Sequence, residues 1–526
     1  MGWVVLVAAL LHLGASVQGE EGPALARAQH SATVAGASLS KVHRWLHEVA
    51  LKRIDPATGL YRADEKWNYR DTAADCYPFL AWAAFVVDKD ALNGPVREIL
   101  HREAALCNTI DRIPVPWDFE NDAPATDTAP DEIVFQASEY VKDGLAAIVE
   151  ATGPDEWFDR MRGIVDDLWK HAAIDTPAGK ICSENLEVNG DHLLVLPRLY
   201  GMTGDTRYLD WADRISDYYL SDPGFLPPRL RDHGCEIIGG LGLLHAVEVT
   251  ARPEEAAARA PHLKRIYDAI LAQGCNEDGI MYNHLTKRDG NDGMLSDGWG
   301  YNYVGYLCYD LATNASTYAP AVRRTLGNLA KPLYRDYPWE RDNIDGWADS
   351  IEGAIYLLNR VPVAEGAVWV DQEMASHVAR TAEPEHLWGT MKLESNGVRT
   401  TLLHALMHTQ GLIARPWQQG LELGAAPLEG GGVQIAVRSA QPYSGHLEFD
   451  LPRHRLYIGF EKDWPRINTL PEWFTVDPGR SYTVQMNGGA LRLFTGAQLH
   501  HGLAVKVAAG EETAVVVRPD PLLAQE

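Results

Sequence analysis

From about residue 38 to about 412 the chain repeats one unit. A polar or aromatic loop rich in Asp, Asn, Gly and Trp is followed by a helix that is apolar all round, then by a helix with one apolar stripe. The apolar members are DTAADCYPFLAWAAFVV from Asp71, DEIVFQASEYVKDGLAAIVEATG from Asp131, NGDHLLVLPRLYGMTG from Asn189, RDHGCEIIGGLGLLHAVEVT from Arg231, SDGWGYNYVGYLCYDLAT from Ser296 and DGWADSIEGAIYLLNRV from Asp345. A seventh, RTTLLHALMHTQG from Arg399, ends the series. Their spacing, about 45 to 65 residues, is that of a helix pair with its loops. A helix apolar on every side must be buried, and one with a single stripe covers it. The alternation therefore predicts inner and outer rings of helices, an (α/α)6 or (α/α)7 toroid.

After the Pro416-Trp417 turn and the break at Gly430 to Gly432 the period changes. Short alternating runs follow: GVQIAVRSA, GHLEFDLP, RLYIGFE, EWFTVDP, SYTVQMNG, ALRLFTG, LAVKVAAG and TAVVVRP. Period-two runs broken by Gly, Pro, Asn and Asp predict antiparallel strands of a β-sandwich. The expected fold class is mainly α with a C-terminal all-β domain. The expected domains are a signal peptide over 1–19, a toroid over 20–417 and a β-sandwich over 418–526. HLEFDLPRHR and Asp463 to Val476 are rich in Arg, Trp and Pro, and are read as the surface that docks the β domain on the toroid.

The first nineteen residues form an apolar run that ends in small residues, with Val17 and Gly19 placed for signal cleavage. No Lys or Arg precedes the run. A secreted or periplasmic protein, with no membrane association after cleavage, is the expectation. Net charge is -25, which repels nucleic acid and anionic lipid, so no nucleic-acid partner is expected. Six cysteines are scattered without a C-x-x-C pair, so isolated thiols are expected and local spacing signals no metal site. No cofactor fingerprint is present, and none is expected.

The pair LVLPRLYGMTGDTRYLDWADRISDYYL, Leu194 to Leu220, is similar to the hairpin of unsaturated glucuronyl hydrolases and bacterial β-L-arabinofuranosidases. The alternating architecture resembles α/α-toroid carbohydrate-active enzymes more widely, toroid polysaccharide lyases and epimerases among them. That resemblance implies an oligo- or polysaccharide substrate, and it assigns no single family.

In a toroid the loops before the inner helices meet at one mouth. Three acidic pairs lie there at i, i+4 spacing, Asp71 with Asp75, Asp232 with Glu236 and Asp345 with Asp349, and Asp191 and Asp297 hold comparable positions. Hydrolysis of a glycosidic bond needs one protonated carboxyl and one carboxylate. Glu236 and Asp349 are the first candidates, then Asp297 and Asp75, because each opens an apolar helix where desolvation raises a carboxyl pKa. Acids are also favoured at helix starts for structural reasons alone.

A second set fits β-elimination from a uronate, which needs a Tyr or His base and an acid at the leaving oxygen: His233 and Tyr301 as catalytic candidates, with Arg231, His192 and Asn189 as binders, among Tyr282, Asn283, His284, Asn302 and Tyr303. Trp67, Trp299 and Trp347, with Trp117 and Trp388, suit stacking on sugar faces. The leading expectation is a glycoside hydrolase with paired carboxylates at the toroid mouth. The alternatives are a polysaccharide lyase and, in a different class, a non-catalytic glycan-binding protein.

Overall fold

The computed structural model describes residues 2–231, 234, 236–341, 343–380 and 394–520, without the side chains of 2–21, 380 and 394. Seven apolar helices form a closed inner ring. In order they are Tyr77–Val87, entered through a wide π turn at Thr72–Cys76; Pro130–Glu139 continued through a π turn at Tyr140–Leu145 into Ala146–Thr152; Leu186–Thr203; Glu236–Ala251; Trp299–Ala312; Ile344–Arg360; and Glu394–Thr409. Each packs on the next, and Glu394–Thr409 packs back on Tyr77–Val87. The chain is thus an α/α toroid of seven hairpins.

Small residues allow the ring to be this tight. A Cβ on Gly300 would stand 2.5 Å from the Cα of Gly353, and one on Gly242 would stand 2.9 Å from the carbonyl oxygen of Gly305. Neighbouring inner helices therefore touch backbone to backbone, and a larger side chain at either place would force the ring apart. The outer helices Arg97–Cys107, Glu156–Lys170, Arg207–Leu220, Pro253–Gln273, Ala319–Asn328 and Ala364–Arg380 cover these contacts. Local sequence sets their ends. Asp155 accepts from the backbone N–H of Trp157 at the start of one, and Gly204, at φ +71°, lets Leu186–Thr203 stop before the next begins.

The seventh outer position is taken by the first helix, Gly2–Glu48, which packs on Glu394–Thr409 and on Tyr77–Val87. Its face at Ala28 and Ala32 also lies on the strands that hold Ala426 and Ala436. Gly424 lets the Ala28 to Ala32 backbone come into direct contact with its strand. Among the described residues no helix is long and apolar enough to cross a membrane.

The C-terminal region holds two antiparallel sheets. One is ordered Arg492–Thr495, Ser481–Met486, Glu512–Pro519, Gly432–Ser439, Leu421–Leu428; the other is ordered Leu503–Val507, Tyr443–Glu448, Ile413–Arg415. Two expected strands are absent. RLYIGFE instead begins within a short helix at Arg453–Leu456 and continues as irregular chain, and EWFTVDP runs as irregular chain with one isolated bridge between Thr475 and Asp450. Conversely Leu421–Leu428, before the glycine break, is a strand that alternation had not singled out. Among the described residues Cys107, Cys182, Cys275 and Cys308 are free thiols.

The segment between strands Tyr443–Glu448 and Ser481–Met486 runs into the ring instead of joining a sheet. Arg466 makes two hydrogen bonds to the Glu150 carboxylate, at 2.7 and 2.8 Å, and Thr469 Oγ1 donates to it at 3.0 Å. Arg198 donates to the same carboxylate at 2.9 Å and to the Ile467 carbonyl at 2.5 Å. All four charged and polar side chains are buried. Burial opposes ionisation of Glu150, but the two guanidiniums overcome it and hold the carboxyl at about 2. The segment from Asp463 to Leu470 is therefore a polar stopper, and the docking expected of these residues is achieved by insertion into the toroid.

Candidate functional site

A cavity of about 200 Å³ opens at the N-terminal ends of the inner helices. It is walled by Arg70, Asp71, Asp75, Lys142, Asp143, Glu236, Tyr301, Glu340, Asn343, Asp345, Asp349 and Arg399, and floored by Ile467 and Asn468 of the stopper. Seven acids face three cations there.

The two π turns set the geometry. Asp75 lies in Thr72–Cys76 and Asp143 in Tyr140–Leu145, and the two turns pack on one another. A π turn adds a residue to the helical repeat and re-aims the side chains on it, a device frequent at functional sites. Gly144 permits the contact, because a Cβ there would stand 2.8 Å from the Ala73 carbonyl oxygen.

Electrostatics divide the acids into two kinds. Burial, then Asp345, Asp143 and Glu139, push the Asp75 carboxyl well above the usual carboxylate range, against a weaker opposing effect of Arg399. Burial and the carboxylate of Glu139 do the same to Asp191, which lies fully buried behind the wall. Asp143 is pushed up to about 6 by burial, against the pull of Lys142. Other acids are matched by cations. The buried Lys142 ammonium stands 2.8 Å from Asp143, 3.0 Å from Glu236 and 3.8 Å from Asp191. Burial opposes its charge, but these carboxylates hold it protonated, above its ordinary value.

Arg399 pairs with Asp349 and Glu352 on the opposite wall. The Tyr301 hydroxyl lies 2.7 Å from Glu352 and 3.1 Å from Asp349, and burial raises its pKa well above the ordinary value. Asn396 donates to Asp345. At the rim, Glu340 and Arg341 are consecutive non-glycine residues with φ of +46° and +64°. Such a pair costs about 1–3 kcal/mol per residue, and Glu340 is one of the residues that line the opening. Among the described residues no three of the cavity acids bring ligand atoms close enough together to hold a metal ion. What the arrangement offers is proton transfer between carboxyl groups of unequal acidity.

Of the residues singled out in the sequence, Glu236, Asp349, Asp75 and Tyr301 line the cavity, as do Asp71 and Asp345 of the acidic pairs. The structure places the others elsewhere. Asp297 is buried and accepts from the backbone N–H of Gly298 at 2.7 Å, at the start of the Trp299–Ala312 helix. His192 is a core histidine: Trp169 Nε1 donates to its Nδ1 at 2.8 Å, Ser138 Oγ lies 3.1 Å from its Nε2, and burial lowers its pKa to about 4. Asn189 donates to the Ser183 carbonyl and to the Tyr219 hydroxyl, both at 2.9 Å.

Arg231 is half-buried on the loop before Glu236 and is not a wall residue. His233 lies outside the described residues, as do Asp232 and Trp388. The tryptophans expected as sugar platforms are packing anchors. Trp67 is fully buried, edge-on to Tyr69 and Tyr77. Trp299 is buried and donates to Ser350 at 2.9 Å, and Trp347 stacks on His377.

Sequence reasoning passed over Lys142, Asp143, Arg399 and Asn468 as site residues. The first three carry a signal, since each is a charge inside a helix that the pattern buries, where an unpaired ion is excluded. Asn468 carries none, because only the tertiary path of the stopper brings it to the cavity.

No protein-family model matches the chain, and no curated protein matches its sequence. Among solved structures it resembles a sugar epimerase from a ruminal bacterium, at 13% identity over 56% of this chain and 86% of that one, with a TM-score of 0.39. It also resembles an inactive variant of the α-1,6-mannanase of Salegentibacter sp. HEL1_6 in complex with α-1,6-mannotetrose, at 13% identity over 52% and 89%, TM-score 0.39. A β-L-arabinofuranosidase from Geobacillus stearothermophilus T6 matches at 11% identity over 92% and 80%, TM-score 0.39. At these identities and scores the likeness assigns neither a reaction nor a residue to this chain.

Proposed function

We propose that the protein is a glycoside hydrolase acting on a neutral saccharide, with Asp75 as general acid and Asp349 as the opposing carboxylate. The observation that carries the reading is the unequal pair: Asp75 is kept protonated by burial and by the acids around it, while Asp349 is matched to Arg399. Asp75 gives its proton to the leaving glycosidic oxygen as the bond to the anomeric carbon breaks. Either water adds to that carbon while Asp349 takes its proton, or Asp349 first bonds to the carbon and water then displaces it, giving its proton to the Asp75 carboxylate and freeing Asp349. Glu236, anchored on Lys142, is assigned to orienting the sugar, and the hydroxyl of Tyr301, on the opposite wall, to orienting Asp349.

A cavity of about 200 Å³ is below the roughly 300–1,000 Å³ typical of pockets for drug-sized ligands, which favours a single sugar ring within it. Seven acids disfavour a uronate substrate, and the Tyr301 hydroxyl, raised far above neutrality, is a poor base for elimination. The apolar amino-terminal run supports export, and sequencing the amino terminus of protein recovered outside the cytoplasm tests it.

The reaction is tested by incubating the protein with neutral and uronate-containing oligosaccharides. New reducing ends without absorbance near 232 nm are expected, with the anomeric configuration read by NMR. An absorbing, unsaturated product would overturn hydrolysis in favour of elimination, and saturable binding without turnover of any glycan bound would overturn catalysis.

A further inference from the structure

A second polar cluster lies on the far side of the seventh inner helix, apart from the cavity. His404 and His408 are one turn apart on Glu394–Thr409, and Asp371 faces them from the outer helix Ala364–Arg380. Their Nε2 atoms lie 3.2 Å from each other, and each lies 2.9 Å from the same oxygen, Oδ1 of Asp371. Three N/O ligands held at about 2.0–2.2 Å from one tetrahedral ion stand roughly 3.3 Å apart, so the three donor atoms already form one face of a coordination shell.

We infer that Asp371, His404 and His408 bind a divalent transition-metal ion of the zinc class. Two histidines one helical turn apart with a carboxylate from a neighbouring helix are a donor set suited to such an ion. The surroundings are those of a ligand site. His404 is 2% exposed and its Nδ1 has no hydrogen-bond partner, so the hydrogen bonds of its ring lie on the metal-facing side. Burial keeps that imidazole neutral, with its pKa lowered to about 4, which is the protonation state that ligates.

His408 Nδ1 lies 3.1 Å from Ser31 Oγ on the Gly2–Glu48 helix, an outer contact of the kind that orients a ligand ring. Asp371 is about a third exposed, which leaves a path for the ion and room for water as a fourth ligand. The other group with convergent donors, His454, Asp463 and Glu472, differs because its Asp463 is already paired with Arg360 and Arg466. The ion would tie together the last inner helix, its outer partner and the first helix of the chain, and this role is independent of the proposed hydrolysis.

Chelator-treated full-length protein titrated with Co²⁺ tests the site without any variant. One equivalent should produce the visible absorption of tetrahedral Co²⁺, Zn²⁺ should abolish it, and the melting temperature should rise with metal. His408→Gln and Asp371→Asn, checked for native circular dichroism, should each weaken binding by at least about 10-fold. Wild-type protein that gives no stoichiometric Co²⁺ spectrum overturns the inference. So does a spectrum that survives unchanged in Asp371→Asn, the more exposed and more tolerant of the two positions.

Discussion

The side-chain amide of Asn468 donates to Oδ1 of Asp143 at 2.7 Å across 325 positions of sequence. One residue of the C-terminal region thereby completes the floor of a cavity whose walls belong to the toroid. Its backbone is held for this, with φ at +56°, and the same amide lies 3.1 Å from the Lys142 carbonyl. Asn468→Ala should cost about 1–3 kcal/mol of stability, the cost of leaving a buried hydrogen-bonding group unsatisfied. It should also lower turnover more than the stability loss explains, as read by kcat alongside thermal melting.

Asp75→Asn is expected to lower kcat by about 10²–10⁴-fold, the contribution of a positioned general acid, and to abolish the alkaline limb of the pH–rate profile. Its effect on stability has the opposite sign. The folded-state pKa of Asp75 is raised above its unfolded value, so the folded protein holds the extra proton in the window between the two. Stability is then lost as pH rises through that window. The neutral amide removes this cost, and at pH 7 the variant should melt above the wild type in differential scanning calorimetry.

Glu150 behaves in the reverse manner. Its folded pKa, about 2, lies below the ordinary carboxylate value of 4.5, so its contribution is fully present above the higher figure and is lost as pH falls toward the lower. Glu150→Gln leaves Arg198 and Arg466 buried without their shared anion and should destabilise the fold by about 3–5 kcal/mol. Urea unfolding at pH 7 measures this. The gap between variant and wild type should narrow on approach to pH 3.

Tyr301→Phe removes the hydroxyl that contacts both Glu352 and Asp349 and keeps the ring beside Tyr356. A fall in kcat of about 10-fold, with a smaller change in KM, is expected if that hydroxyl orients Asp349 for the chemical step. Steady-state kinetics on one substrate suffice to separate the two parameters.

The seven inner helices were legible because each is apolar on every face, a pattern with few solutions other than burial in a ring. The sandwich was legible in part. Alternation in RLYIGFE and EWFTVDP looks like strand, but inside the toroid Arg453 donates to the Glu150 carbonyl and Arg466 to the Glu150 carboxylate, and those bonds outweigh local preference. Asp75, Glu236, Asp349 and Tyr301 were found by the rule that helix starts converge at the mouth. Asp143 escaped that rule because its helix begins at Pro130 and only its mid-length π turn reaches the cavity. His192 and the tryptophans share the loops and helix starts of the true wall residues and differ only in the direction they point, which spacing does not encode.

The contact between the first helix and the strand Leu421–Leu428 bears on the order of biosynthesis. Arg27 and Pro427, which meet across 400 residues, leave the ribosome far apart in time. Until Glu394–Thr409 is made the inner seam of the ring stays open, and until the strand follows the alanine face of the first helix has no partner. The nascent chain is consequently an open arc with exposed apolar edges for most of its synthesis, the state in which aggregation competes with folding.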